Sequence, residues 1–181
     1  MGGEDPLRAL VRRCQRGERT AFEELFCRFQ PRLRYYVRRL HADGDQADDV
    51  LQEVWGRVVR QIGSLRDRQA FVAWLYRIAR NEVYGRARTT DPFVELTDEH
   101  LELVADEDEP AFHPEEAARV HDALDRLKPE QREILTLCFL EELPHRQIAG
   151  ILGIPPGTVK SRIHYAKRAL RQELERNHES P

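Results

Sequence analysis

The sequence has little cysteine, no long apolar run and no recognisable catalytic signature. Three cysteines, Cys14, Cys27 and Cys138, stand far apart in 181 residues and form no CxxC pair. That spacing excludes a disulfide framework and a zinc knuckle, and it fits unpaired thiols, packed as small hydrophobes, in a reducing cytoplasm. No apolar stretch approaches the length that spans a bilayer, so no membrane insertion of its own is expected. The N-terminal MGGEDPLRALVRRCQRGE is too charged for a secretory signal, and MGGEDP lacks the Ser or Thr of a myristoylation motif. Seven histidines are scattered at 41, 100, 113, 121, 145, 164 and 178 without HExxH or a Cys/His cluster. Neither a Gly-rich phosphate loop nor GxSxG is present. An enzyme, a metal centre and a bound cofactor are therefore not expected.

What is present is charge, unevenly placed. With 40% hydrophobic and 34% charged residues, the chain favours small helical units with thin cores over one large core. Residues 1–90 hold 18 Arg against 12 acids, residues 91–118 hold 11 acids and no Lys or Arg, and residues 119–181 hold 11 Lys or Arg against 9 acids. Two basic blocks flank an acidic one, which suggests a polyanionic partner for the flanks. The acidic stretch has three prolines (Pro92, Pro110, Pro114) and no sustained period, and reads as an extended, flexible linker. Its scattered Phe93, Val94, Leu96, Leu101, Leu103 and Val104 exceed what a spacer needs.

The first block is helical throughout. Phe22, Leu25, Phe26, Phe29 and Leu33 recur at three- and four-residue steps between Ala21 and Leu40, with Thr20 and Glu23 spaced as a capping box and Pro31 marking a break or kink. A second stripe, Val50, Leu51, Val54, Val58 and Ile62, leaves Asp48, Asp49, Gln52 and Glu53 off the apolar face. After the loop GSLRDRQA, a helix over 71–88 carries Phe71, Leu75, Ile78 and Val83 on one side and Trp74, Arg77, Asn81, Tyr84 and Arg88 on another. Rings beside guanidinium groups suit a single nucleic-acid strand, in which bases stack and phosphates pair. Trp74 could equally cap the edge of the core.

The second block ends in helix, short turn, helix: PHRQIAGILGIPPGTVKSRIHYAKRAL. Pro144 suits a first helical position, Gly153 the turn, and Thr158 an N-cap. Ile148, Ala149, Ile151 and Leu152 point inward, followed by the stripe Val159, Ile163, Ala166 and Leu170. Thr158, Ser161, Arg162, Tyr165 and Arg168 face away, with Lys160, His164 and Lys167 on the flanks. This is the helix-turn-helix layout, whose second helix enters the major groove; a plain helical hairpin would show the same packing.

Taken together, AFEELFCRFQPRLRYYVRRL, DQADDVLQEVWGRVV, SLRDRQAFVAWLYRIARNEV and LDRLKPEQREILTLCFLEELPHRQIAGILGIPPGTVKSRIHYAKRAL, covering most of residues 20–172, resemble a bacterial RNA polymerase sigma factor of the sigma-70 family, extracytoplasmic-function (ECF) group. The resemblance implies an all-α chain of two small helical domains. A region 2-like domain would span 1–90, an acidic flexible linker 91–118, and a region 4-like helix-turn-helix domain 119–181. DDVLQEVW would dock on the β′ clamp coiled coil of core RNA polymerase through Asp48, Asp49, Gln52, Glu53 and Trp55, although those acids could as well be a solvated face. Arg66, Asp67, Arg68 and Gln69, backed by Trp74, Arg77, Asn81, Tyr84 and Arg88, would receive a flipped base and the melted strand of the minus-ten element. Thr158, Lys160, Ser161, Arg162, His164, Tyr165, Lys167 and Arg168 would read duplex at the minus-thirty-five element. ILTLCFLEEL would hold the domain core and face the β flap, and the linker would pass through the polymerase cleft. An anti-sigma factor is the further partner implied. Gln147 stands where the family commonly has Glu, and Pro156 where it has a polar residue; either could alter base preference or a cap. The alternative is a two-domain helix-turn-helix regulator that acts without being a polymerase subunit.

Overall fold

The computed structural model describes residues 5–40, 47–85 and 114–176, with 114–118 as backbone only. All regular structure among the described residues is helical. The helices are α1 (Pro6–Gln15), α2 (Arg19–Leu40), α3 (Ala47–Gln61), α4 (Phe71–Val83), α5 (Pro114–Arg126), α6 (Pro129–Leu135), α7 (His145–Leu152) and α8 (Pro156–Arg176). Short 3-10 turns, Ile62–Ser64 and Arg68–Ala70, join α3 to α4, and a π-helical stretch, Thr136–Leu140, extends α6.

Four helices build the first unit. Asp5 caps α1 by accepting from the amide of Leu7 (3.0 Å), which leaves Leu10, Val11 and Cys14 to pack inward. α2 buries Leu25, Phe29, Leu33, Tyr36 and Val37. α3 buries Leu51, Val54 and Val58, in step with the apolar period, while Ile62 follows in the turn. The Phe29 and Phe71 rings meet edge to face, with centroids 5.5 Å apart. In the second unit α6 and α7 both pack on α8, with α5 also laid against α8. Gly153 ends α7 in the left-handed region (φ +66°), and its amide donates to the Ala149 carbonyl (2.9 Å).

Several local expectations shift. Thr20 lies inside α2, so no capping box forms there; Arg19 instead pairs with Glu23 one turn on (3.0 Å). α2 runs through Pro31 without a break. Pro144 is the cap of α7 rather than its first residue, and its carbonyl accepts from the amides of Gln147 (2.8 Å) and Ile148 (3.1 Å). α8 starts at Pro156, two residues before Thr158, so the Pro155 carbonyl takes the amides of Thr158 (2.9 Å) and Val159 (3.3 Å). α4 ends at Val83, capped by Tyr84, short of the expected Arg88, which lies outside the described residues. α5 begins at Pro114, within the stretch read as linker. Cys14 is buried, but Cys27 is exposed and Cys138 half-buried, so the reading of each thiol as core filler holds fully only for Cys14.

The two units touch. α4 packs on α7 and α2 on α6. α4 is consequently buried almost all round: Ala73, Trp74, Tyr76 and Ala79 are covered as well as Phe71, Leu75 and Ile78. A single apolar stripe would have left the opposite face wet.

Candidate nucleic-acid interface

The exposed side of α8 carries a row of cations in the second unit: Lys160, Arg162, Lys167 and Arg168. Val159, Ile163 and Ala166 turn inward. Lys160, Ser161, Arg162, His164, Tyr165, Lys167 and Arg168 are exposed and Thr158 half-buried, so the face expected to meet duplex DNA is one continuous surface. Ser161 Oγ donates back to the Thr158 carbonyl (3.0 Å). Tyr165 stands 64% exposed, its ring edge-on to His164 (centroids 5.7 Å apart). Further along, His164, Lys167, Arg168, Arg171 and Gln172 line a shallow groove closed by Glu175. Lys167 also places its ammonium over the ring of Phe139, 4.9 Å from the centroid. Of the apolar run expected both to hold the core and to offer a surface, Ile134, Leu135 and Leu137 are buried, while Phe139 and Leu140 are both over two-fifths exposed.

The second surface is the 66–69 loop and α4. Gln15 of α1 holds this loop from behind. Its Nε2 donates to the carbonyls of Ile62 (3.0 Å) and Leu65 (2.8 Å), and its Oε1 accepts from Arg68 Nε (2.7 Å). Asp67 closes the turn by accepting from the Gln69 amide (2.8 Å). Arg66, Asp67 and Gln69 are exposed, while Arg68 is half-buried and pinned. Behind the loop, Trp74 is only 8% exposed and packs on Phe71, with ring centroids 5.9 Å apart. Its indole is chiefly core and could offer a strand no more than an edge. Arg77 and Asn81 are half-buried, and Arg77 has interactions of its own. Tyr84 is exposed, and the Arg80 guanidinium sits 4.9 Å from its ring centroid. Arg77, Asn81 and Tyr84 thus follow one another at helical spacing from the middle of α4 to its C-cap, one turn on from Trp74.

The third surface is the outer side of α3. Asp48, Asp49, Gln52 and Glu53 are all exposed; Asp48 accepts from Arg34 at 2.8 Å. Trp55 is not part of that open face. It is 7% exposed, held between Phe22 (centroids 5.9 Å apart) and Phe26 (4.9 Å), with Nε1 donating to Gln30 Oε1.

Sequence reasoning missed Gln15 and Arg80. It also missed the row Arg32, Tyr35, Tyr36 and Arg39 on α2, which faces the second unit. Their spacing of three, four and seven puts them on one helix face, and that spacing was the available signal. The Tyr36 hydroxyl donates to Glu133 Oε1 (2.8 Å), and Arg80 Nε donates to the same oxygen (2.9 Å). Glu133 is 3% exposed. Arg32 Nε lies 2.8 Å from Glu141 Oε2, and burial pushes the Glu141 carboxyl above its ordinary range, against the pull of Tyr76 and Arg32. Complete burial, and then the adjoining Glu133 carboxylate, drive the Tyr36 phenol well above its ordinary value. Among the described residues no cluster of His, Cys, Asp or Glu could hold a metal, and no helix is long and apolar enough to cross a membrane.

Described residues that are helical throughout, with a helix-turn-helix whose second helix exposes a basic face, have the layout of a DNA-binding protein. Comparison with known proteins narrows this. Residues 25–92 match the family model for sigma-70 region 2, and residues 117–170 match that for sigma-70 region 4. The chain is 32% identical over 179 residues to the RNA polymerase sigma-H factor of Pseudomonas aeruginosa, covering 92% of each. It is 30% identical over 178 residues to the ECF RNA polymerase sigma-E factor of Escherichia coli K12, covering 92% of this chain and 93% of that one. Among solved structures it is similar to the sigma factor RpoE of Bartonella quintana, crystallised with the anti-sigma factor NepR. That similarity has a TM-score of 0.63 and 25% identity over 85% of this chain and 96% of that one. The chain belongs to the sigma-70 family of RNA polymerase sigma factors, in its ECF group.

Proposed function

We propose that this sigma factor works through three separate surfaces. The open acidic face of α3 docks on the β′ clamp coiled coil of core polymerase, with Phe139 and Leu140 offering an apolar edge to the β flap. The 66–69 loop, with Arg77, Asn81 and Tyr84, receives the melted minus-ten strand, while Trp74 stiffens the helix beneath. α8 enters the major groove at the minus-thirty-five element, its N-terminal half meeting base edges and its later cations meeting backbone. The chain contributes binding and positioning rather than catalysis, and it acts where the polymerase is, in the cytoplasm. The observation that supports this reading most directly is the exposed basic face of α8 on a helix-turn-helix closed by Gly153.

An anti-sigma factor is the regulator this reading implies, since the Bartonella quintana relative is found in complex with one. The test is run-off transcription with core polymerase over a promoter library on linear DNA. Promoter-specific transcripts that require this chain, together with its co-elution with core enzyme, are expected. Sequence-specific DNA binding without either result would identify a regulator that acts apart from the polymerase.

A further inference from the structure

Lys167 stands where two exposed surfaces of the second unit meet. On one side it lines the shallow groove of α8 with His164, Arg168 and Arg171. On the other its ammonium lies over the ring of Phe139, 4.9 Å from the centroid, inside the range of about 6 Å over which a ring face attracts a cation. Phe139 belongs to a different element, the π-helical end of α6. A lysine stem has many rotamers, so an ammonium kept in one place on an open helix face needs something to hold it.

The backbone that presents Phe139 is irregular. The Glu141 amide donates to the Thr136 carbonyl (3.1 Å), a bond one residue longer than that of an α-helix, and the Leu143 amide returns to the Leu137 carbonyl (3.1 Å). Glu142 then sits in the left-handed region (φ +52°), which strains a residue that has a side chain. Phe139 comes four residues after buried Leu135, the spacing at which a regular α-helix carries both on one face. The π turn breaks that register, and Phe139 is left 45% exposed against Lys167. π turns and strained residues gather at working sites more than in plain scaffold.

An ammonium has three donors, and a ring face engages it from one side. Lys167 remains exposed, so its other side is open to a phosphate oxygen. Holding the stem over the ring before DNA arrives removes part of the ordering cost that a free lysine meets on binding. The ring adds no charge, so the number of phosphates contacted stays the same.

We propose that Phe139 is a positioning residue for DNA binding. Its ring holds Lys167 at the edge of the groove, so that α8 grips the phosphate backbone more tightly whatever the base sequence. The inference rests on the reading of α8 as the helix that meets duplex DNA, and it gives the π turn a task beside the apolar edge proposed for the β flap.

The test uses the full chain without polymerase, which keeps any flap contact out of the measurement, and random-sequence duplex DNA titrated over a range of salt. Phe139→Leu keeps an apolar side chain but loses the ring, and should weaken binding about two- to fivefold at unchanged salt slope. Lys167→Ala should flatten the slope by about one unit, and adding Phe139→Leu to it should change nothing further. Pentafluorophenylalanine at position 139 keeps the shape but reverses the charge of the ring face, so it should bind as Phe139→Leu does, while Phe139→Trp should bind as the wild type or better. The fluorinated chain carries the test if Phe139→Leu loses helix by circular dichroism. Wild-type affinity in the fluorinated chain overturns the inference, and so does tighter binding by Phe139→Leu, which would mean that the ring withholds Lys167 from DNA. An undiminished loss from Phe139→Leu in the Lys167→Ala background overturns it too, because the ring would then act through the fold and not through the lysine. A wild-type chain with no affinity for duplex at low salt overturns the reading of α8 itself, and this inference with it.

Discussion

Replacing Gln15 by alanine should loosen the 66–69 loop without touching DNA directly. Gln15 is half-buried and makes three hydrogen bonds, to the carbonyls of Ile62 and Leu65 and from Arg68 Nε. A neutral bond contributes about 0.5–1.5 kcal/mol net and one to a charged group about 1.5–3 kcal/mol. Water can replace part of this at a half-exposed site, so a net loss of about 1–3 kcal/mol is expected. In a chain of this size that lowers the melting temperature by about 2–4 °C per kcal/mol. The functional consequence is selective. The loop would pay more to order around a flipped base, so open-complex formation on duplex promoter should fall about tenfold per 1.4 kcal/mol. A template already melted at the minus-ten element should recover part of the loss, and binding of minus-thirty-five duplex should be unchanged. An unaltered melt, or equal loss on both templates, would refute the argument that Gln15 holds this loop.

Trp74→Ala should behave mainly as a core deletion. With the indole 8% exposed against Phe71, about 3–5 kcal/mol of stability should be lost in urea titration, whereas Trp74→Phe should retain most of it. In competition binding, Arg162→Ala on the exposed first half of α8 should cost about 1–3 kcal/mol on the cognate site and relax preference at one base position. Lys167→Ala, whose ammonium is shared with the Phe139 ring, should weaken all sequences alike and flatten the salt dependence by about one unit of slope; identical profiles for the two variants would count against the placement of α8. Tyr36 titrates only well above its ordinary range in the fold, so its contribution is intact below about pH 10 and lost as pH rises beyond that, where the unfolded chain ionises first. Urea midpoints between pH 9 and 11 should therefore fall less steeply for Tyr36→Phe than for the wild type, and parallel curves would show that the phenol is not held neutral.

The sequence by itself determined the helices, their inward stripes and the turn at Gly153, because those follow from local period and backbone freedom. Leu25, Phe29 and Leu33 on α2, Leu51, Val54 and Val58 on α3, and Val159 and Ile163 on α8 are all buried as their spacing requires. The polar faces carried less information. A period of 3.6 shows that a helix has an inside, but not which further surface will come to cover its outside. Spacing put Trp74 on a working face or at the core edge, and the family resemblance put Trp55 on the docking face, yet Phe22 and Phe26 enclose Trp55 and Phe71 packs on Trp74. Starts shifted at Thr20 and Thr158 because a carbonyl one turn back can satisfy an amide as well as a hydroxyl can. The largest difference lies at the seam. Arg32, Tyr36 and Arg39 look like a solvated row on α2, and Glu133 and Glu141 like ordinary surface acids. Only the tertiary structure, by bringing residues 53 to 109 positions apart within hydrogen-bond reach, sets Tyr36 and Arg80 on buried Glu133 and Arg32 on buried Glu141.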